Sequence, residues 1–423
     1  MAIELGLTKI RHLLSHLGNP QDKFKVLHVA GTNGKGSVCS LLQSVLQTNA
    51  NYRVGKFTSP HLVHITDCIT INGKPIPLQD FQSIKNQLQE TNRKHGFGCT
   101  EFELLTCTAF EYFQRMKCNW CVLEVGLGGR LDATNCSAGV HKICGITKVA
   151  MDHQSFLGDT LAQIGTEKAG IIVSGVPFVA VDGTNDPEVL DVVEKRAAAV
   201  NCMASNTSSI VYGSMIKSES WGYIDRKIVP LNGSYQTSNV AVAISMLDYL
   251  QKKQLISISS QQLQSGLKSV RWPGRLQYVD FYDKDDHKKH LKLLIDGAHN
   301  GNAAASLTQF VTDSFRPTGS EAVTFVIAVT QGKDVHSLLA PLIQTQDTVI
   351  VTQFGEVEGM PWISAMQVSD LASQAANYTK NVSTASDIQS ALQQLCENHS
   401  GQVVVCGSLY LCGELLRNKN VVW

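Results

Sequence analysis

The sequence is poor in charge. Only 17% of its 423 residues are Asp, Glu, Lys or Arg, below the roughly 25% of an average soluble chain, and 36 basic residues face 36 acidic ones. Proteins held to nucleic acid by overall charge usually carry a basic excess, so no nucleic-acid partner is expected. No apolar run approaches the ~18 residues of a membrane-spanning helix, so no membrane partner is expected either. Cysteine is sparse for this length: 12 residues do not make the dense framework of a small disulfide scaffold, and we read them as reduced thiols in a cytoplasmic protein. Internal repeats and low-complexity tracts are missing. Core material is plentiful, because 43% of the residues are hydrophobic; that excludes a disordered chain. The length suits two or three domains of about 150 residues each.

Along the chain, Ile3, Leu7, Ile10, Leu13, Leu14 and Leu17 fall at helical spacing, with Lys9, Arg11, His12 and His16 on the other face. A basic amphipathic start also fits a cleavable mitochondrial presequence. Glu4, and a first core strand beginning soon after Pro20, favour a folded helix. The pattern then alternates: strand 24–30, helix 37–46, helix 103–113, strand 120–125, strand 142–151, helix 160–169. It restarts with strands at 291–295, 323–329, 348–352 and 403–406. Short apolar strands between helices predict a parallel sheet covered on both faces. Arg271-Trp-Pro-Gly-Arg275 breaks the two sets, which places a domain boundary between 1–275 and 276–423. The charge-rich stretch 283–292 reads as a solvated loop.

Gly31-Thr-Asn-Gly-Lys-Gly-Ser37 lies between a predicted strand and a predicted helix. Glycines let backbone N–H groups approach phosphate oxygens, and the helix start adds partial positive charge. Lys35 would reach the outer phosphates and Ser37 could sit near Mg²⁺. The generic G-x-x-x-x-G-K-[ST] pattern is only partly met, because Val29 takes the first glycine's place and Gly36 separates Lys35 from Ser37. A second cluster, Leu123-Glu-Val-Gly-Leu-Gly-Gly-Arg-Leu-Asp-Ala-Thr-Asn135, starts in a strand and enters a glycine-rich loop. Ligands of open α/β sheets collect at the carboxyl ends of strands, so Glu124 is a candidate metal carboxylate. Asp152 and His153 are expected at the end of the next strand, on the same edge. Gly126 to Gly129 is not the dinucleotide G-x-G-x-x-G, Cys118 and Cys121 lack a second pair for zinc, and Thr147 to Asp152 does not make the guanine-reading N-K-x-D. A nucleotide switch or dinucleotide-binding protein is therefore the weaker alternative. Lys168 by itself reads as a helix-end cation facing the dipole.

Taken in order, these stretches together with Thr58-Ser-Pro-His61, Glu167-Lys-Ala-Gly170, Trp272-Pro-Gly-Arg275 and Asp296-Gly-Ala-His-Asn300 resemble the folate-type Mur ligases, the folylpolyglutamate and dihydrofolate synthases. The resemblance runs from Leu5 to Leu416. It implies an α/β protein with a P-loop NTPase-like central domain and a smaller Rossmann-like C-terminal domain that closes over ATP. It implies ATP contacts at Asn33, Gly34, Lys35, Gly36, Ser37, Asn239, Arg275 and Asp296, and Mg²⁺ ligands at Ser59, Glu124 and His153. It assigns a pteroate site to Thr100, Phe102, Asp132 and Ala133. Lys168 matches a lysine carbamylated in relatives, and Lys35, Lys168 and His299 are the expected catalytic groups. The implied substrates are ATP, L-glutamate and dihydropteroate, with tetrahydrofolate as the alternative acceptor, and a monomer is expected.

Overall fold

The computed structural model describes residues 6–283, 289–398 and 401–423. Ile3 and Glu4 of the predicted first helix lie outside them, as do residues 284–288 of the charge-rich stretch. The described part of that helix is Thr8–His16, with Ile10, Leu13 and Leu14 buried. The chain divides into two compact units: one of Met1–His61, Thr66–Pro230 and Tyr235–Arg271, the other of Leu62–Ile65, Leu231–Ser234 and Trp272–Trp423.

The first unit is built on β1 (Lys25–Ala30), β2 (Val54–Phe57), β3 (Ile69–Ile71), β4 (Lys74–Pro75), β5 (Trp120–Glu124), β6 (Lys142–Ile146), β7 (Phe178–Val181) and β8 (Met203–Asn206). Their order across the sheet is β4-β3-β2-β5-β1-β6-β7-β8. Neighbours from β2 to β8 run parallel, and only β3 is reversed, antiparallel to both β2 and β4. β1 is central, with β5 on one side and β6 on the other, so the loops after all three strands leave the same edge. Both faces are covered, which is why β1, β2, β5, β6 and β7 read as apolar runs instead of alternating. Helix Lys35–Leu46 is buried along almost its whole length. Helices Glu101–Arg115 and Leu161–Ala169 each start at a capping box, Thr100 with Glu103 and Thr160 with Gln163. A small antiparallel sheet of β9 (Val211–Tyr212), β10 (Met215–Ser218) and β11 (Gly222–Asp225) completes the unit.

One strand is shorter than its apolar run predicts. β6 stops at Ile146 instead of reaching Met151. Beyond it the backbone serves the glycine loop: Thr147 N donates to Ala30 O, and Lys148 O accepts from Thr32 N and Asn33 N. Asp152 and His153 are thus loop residues six and seven positions past the strand.

The second unit has a mixed sheet, β16-β15-β14-β17-β13-β12-β18, from β12 (Gln277–Tyr282), β13 (His290–Ile295), β14 (Val323–Ile327), β15 (Thr348–Val351), β16 (Asn381–Thr384), β17 (Gln402–Cys406) and β18 (Val421–Val422). The expectation of an all-parallel sheet is corrected at one edge. β12 pairs antiparallel with β13 from Gln277↔Ile295 to Tyr282↔His290, and antiparallel with β18. The end of the predicted solvated loop, 290–292, is therefore strand. Leu293, Ile295, Val326, Val403 and Val405 form the heart of this unit's core with Leu411 and Leu415.

Candidate active site

The glycine loop turns from β1 into helix Lys35–Leu46, two residues earlier than the apolar pattern suggests. Gly31 and Gly34 have φ of +148° and +92°, and a Cβ would lie 1.8 Å from Thr147 Oγ1 at the first and 2.2 Å from Asn239 Oδ1 at the second. Only glycine meets both the left-handed backbone and the close approach. The second contact brings Asn239 against the loop. Asn239 Nδ2 donates to Gln236 Oε1 at 2.9 Å, and Gln236 Nε2 donates to Ser37 Oγ at 3.3 Å. Gln236 is fully buried; sequence reasoning did not select it, although it lies three residues before Asn239, on the same helix face. Thr32 braces the other side, its Oγ1 accepting from Ala150 N and donating to Ala150 O. The N–H groups of the first helical turn have no intrahelical acceptor, so the loop offers an anion cradle.

Lys35 stands in that cradle. Its Nζ donates to Thr32 O at 3.0 Å and lies 3.9 Å from Glu124 Oε1. Glu124 is buried at the end of β5, in register with Val29 of β1. Lys168, read as a helix-end cation facing the dipole, lies in the last turn of helix Leu161–Ala169 and is buried. Its Nζ donates to Gly31 O at 2.9 Å. Burial, reinforced by Lys35 and opposed by Asp152 and Asp132, pushes its ammonium down to about 7, so near neutral pH a good part is the free amine. Lys56 of β2 is a further buried cation, its Nζ donating to Ser40 Oγ at 3.2 Å. Burial lowers its pKa, while Cys39, Glu124 and Asp67 act to raise it. Sequence reasoning gave this lysine no role, because a strand lysine is usually at a solvent face. Ser59 is half-buried just past β2. His153 is exposed, has a left-handed φ of 52°, and places Nε2 3.9 Å from Asp152 Oδ1. A hard dication fits the donor chemistry here: Glu124 presents a buried carboxylate 3.9 Å from Lys35 of the anion cradle, and Mg²⁺ takes carboxylate and phosphate oxygens together.

The expected pteroate residues lie in the same unit. The Phe102 ring covers Gly126, where a Cβ would stand 2.4 Å from Phe102 Cζ, and packs 6.1 Å from the Phe57 ring. Thr100 is a helix cap: its hydroxyl accepts from Glu103 N, and Thr100 N donates to Glu103 Oε2. Asp132 is buried. Its Oδ2 accepts from Leu127 N at 2.8 Å, and its Oδ1 accepts from both the N–H and the hydroxyl of Thr134. Burial raises its pKa against those hydrogen bonds. Ala133 beside it is also buried.

The second unit gathers Arg275, Asp296 and His299 where β13 ends. Asp296 accepts from Leu276 N and Ala298 N, at 2.9 and 2.8 Å. Burial raises its pKa and Arg275 lowers it. Arg275 Nη1 would lie 2.3 Å from a Cβ on Gly297, so that glycine makes room for the guanidinium. His299 Nδ1 is 2.8 Å from Gly297 O, and Asn300 caps the helix Gly301–Phe315 by accepting from Ala303 N.

Residues 277–418 match the family model described as dihydrofolate synthetase, C-terminal domain. The chain is 52% identical to the dihydrofolate synthetase of Saccharomyces cerevisiae over 99% of both chains. It is 38% identical to a probable folylpolyglutamate synthase of the same yeast, over 98% of this chain and 97% of that one. The chain belongs to the folylpolyglutamate synthase family. Its fold is similar to that of Escherichia coli FolC in complex with DHPP and ADP, with a TM-score of 0.80 and 26% identity over 98% of this chain and 93% of that one. As a folylpolyglutamate synthase family member, a branch of the Mur ligases, it is an ATP-dependent ligase of folate metabolism. Two hallmarks expected of that family, the glycine loop and Asp296-Gly-Ala-His-Asn300, are intact in this chain. Among the described residues, no helix is long and apolar enough to cross a membrane.

Proposed function

We propose that this chain is a dihydrofolate synthase, which joins L-glutamate to 7,8-dihydropteroate at the expense of ATP and releases 7,8-dihydrofolate, ADP and phosphate. The observation that carries this choice of acceptor is the end-to-end likeness to the yeast dihydrofolate synthetase. A carboxylate does not condense with an amine at neutral pH, because its carbon is a poor electrophile and its leaving group would be oxide. Transfer of the γ-phosphoryl group makes an acyl phosphate, whose leaving group is phosphate. The glutamate amine then displaces it and forms the amide.

The residues divide this work. Asn33, Gly34, Gly36 and Ser37 hold the phosphates through N–H groups and a hydroxyl, with Asn239 as a further ATP contact, and Lys35 offsets charge on the transferring phosphoryl group. Glu124, Ser59 and His153 would hold Mg²⁺, which when bound neutralises phosphate charge. Lys168, as its free amine, can take up CO₂ and release a proton to become a carbamate, turning a cation into an anion. In the second unit, Arg275 and Asp296 are ATP contacts and His299 orients phosphate or glutamate. Phe102 stacks on the pteridine, Asp132 hydrogen-bonds it, and Thr100 and Ala133 shape the segments that carry them. Location in the cytoplasm and a monomeric state complete the proposal.

The acceptor is tested by incubating the purified chain with ATP, glutamate and either 7,8-dihydropteroate or tetrahydrofolate. Turnover of dihydropteroate is expected. Turnover of tetrahydrofolate alone would make the chain a folylpolyglutamate synthase, the activity named in its 38%-identical relative. The stacking role has a separate check. In Gly126→Ala the new methyl strikes the Phe102 ring, and the ring, being a side chain, can rotate away. The acceptor KM should rise about tenfold, in line with ~1–1.5 kcal/mol for an aromatic contact, with the KM for ATP unchanged. An equal rise in both would locate the damage outside the acceptor site.

A further inference from the structure

His28 has no part in the chemistry above, yet it is the one polar residue buried in an otherwise aliphatic stretch of β1, between Leu27 and Val29. Its Nε2 lies 2.8 Å from Thr134 Oγ1, 106 residues away in the chain. Thr134 in turn reaches Asp132 twice, through its N–H and its hydroxyl. The direction of these bonds follows from donor count. A carboxylate only accepts, so the single hydroxyl hydrogen of Thr134 goes to Asp132 Oδ1. The Thr134 oxygen can then only accept from His28, which must carry its proton on Nε2. Among the described residues, the remaining nitrogen, Nδ1, is buried without a hydrogen-bond partner. Burial and the neighbouring Lys142 hold this imidazole neutral, with its pKa well below the ordinary value.

A second buried strand residue pins the same loop. Lys142 of β6 pairs with Val26 in register, which puts its side chain on the same sheet face as His28. Its Nζ donates to Asn135 Oδ1 at 2.8 Å, and Asn135 Nδ2 donates to Arg130 O and Gly170 O, each at 3.1 Å. The loop from Arg130 to Asn135 therefore rests on two polar pegs that rise from the sheet. A histidine among aliphatic neighbours is a poorer choice for stability alone than an aliphatic side chain, because each polar group taken into the core must be answered by a hydrogen bond.

We propose that His28 is a positioning residue for the acceptor's pteridine: through Thr134 it fixes the orientation and hydrogen-bond polarity of Asp132, leaving the remaining lone pair of Oδ2 for the heterocycle. The proposal rests on the reading of Asp132 as a pteridine contact. Its test uses His28→Leu, Thr134→Val, the double variant and His28→Gln, whose amide Nε2 can replace the imidazole donor. Acceptor and ATP KM values are measured for each, with direct binding of the acceptor by calorimetry and urea midpoints to confirm folding.

His28→Leu and Thr134→Val should each raise the acceptor KM and Kd about tenfold, while the KM for ATP stays within about twofold. The double variant should be no worse than either alone, because both remove one chain, and His28→Gln should recover most of the loss. An unchanged acceptor KM in folded variants, a matching rise in the KM for ATP, or fully additive losses would overturn it. Should His28→Leu fail to fold, the contrast between His28→Gln and Thr134→Val carries the same test. If only tetrahydrofolate is turned over, the proposed dihydrofolate synthase activity fails, and the same KM comparison is read on tetrahydrofolate, which also carries a pteridine.

Discussion

Glu124→Gln is expected to lower kcat by about 10²–10³, the scale on which single groups facing transition-state charge act, and to move the Mg²⁺ titration to higher concentration. The substitution keeps the shape and removes the charge. The carboxylate is buried at the end of β5 with the Lys35 ammonium 3.9 Å away, so its field is only weakly screened by water. Without it, Lys35 and the helix start lose a buried counter-charge, and the dication loses the only carboxylate among its expected ligands Glu124, Ser59 and His153. Nucleotide alone should still bind, because the N–H groups of the loop are untouched. Measuring kcat across a Mg²⁺ series, with nucleotide affinity determined in parallel, checks the assignment. A Mg²⁺ dependence identical to that of the unaltered chain would remove Glu124 from the ligand set.

Lys168→Ala is expected to cost roughly 10²-fold in kcat, again as the loss of one placed charge. Part of the loss should return when formate or acetate is added, because a short carboxylate can enter the space and supply the anion that a carbamate would provide. Activity at the native level would remove Lys168 from the mechanism. A stability measurement tests its burial independently. The ammonium titrates at about 7 in the folded chain, against an ordinary value of 10.5. Below pH 7 both states are protonated, and the folded state bears the whole cost of a buried charge. Between pH 7 and 10.5 the unfolded state binds the extra proton, so stability rises with pH. Above that window the cost is gone. In CO₂-free buffer, Lys168→Met should therefore raise the urea midpoint most near pH 6 and least near pH 10. A gain that does not vary with pH would mean that the amine is not buried as a charge.

Much of the first unit was legible because its signals are local. The apolar run before Gly31, the glycines themselves and the apolar face of the following helix all lie within about two dozen residues of one another, and strand, loop and helix follow from them. The resemblance to a ligase family rests on short stretches of the same kind, taken in order. Where the local signal and the fold part company, a distant peptide group decides. Residues 147–151 are apolar enough for a strand, but Lys148 O and the peptide groups of Ala150 bond to Thr32 and Asn33 of the glycine loop, and Val149 N and Thr147 O bond to the Asn185 side chain. Lys168 has the sequence context of a helix-end cation, but Gly31 O and the sheet edge enclose it. His28 looks like an interruption in an apolar strand until Thr134, 106 residues on, accepts its hydrogen bond.

The even balance of 36 basic and 36 acidic residues illustrates the same division. By itself the sequence determined that no global charge draws this chain to a polyanion, that its core is α/β, and that one loop is shaped for phosphate. Tertiary structure alone decided which few charges are taken out of water and which groups answer them: Lys35 beside Glu124, Lys168 on Gly31, Asp132 held by Thr134 and His28, Asp296 near Arg275. A residue's charge is written in its letter. Its energetic weight depends on burial and on partners supplied by distant parts of the chain, which exist only once the chain has folded.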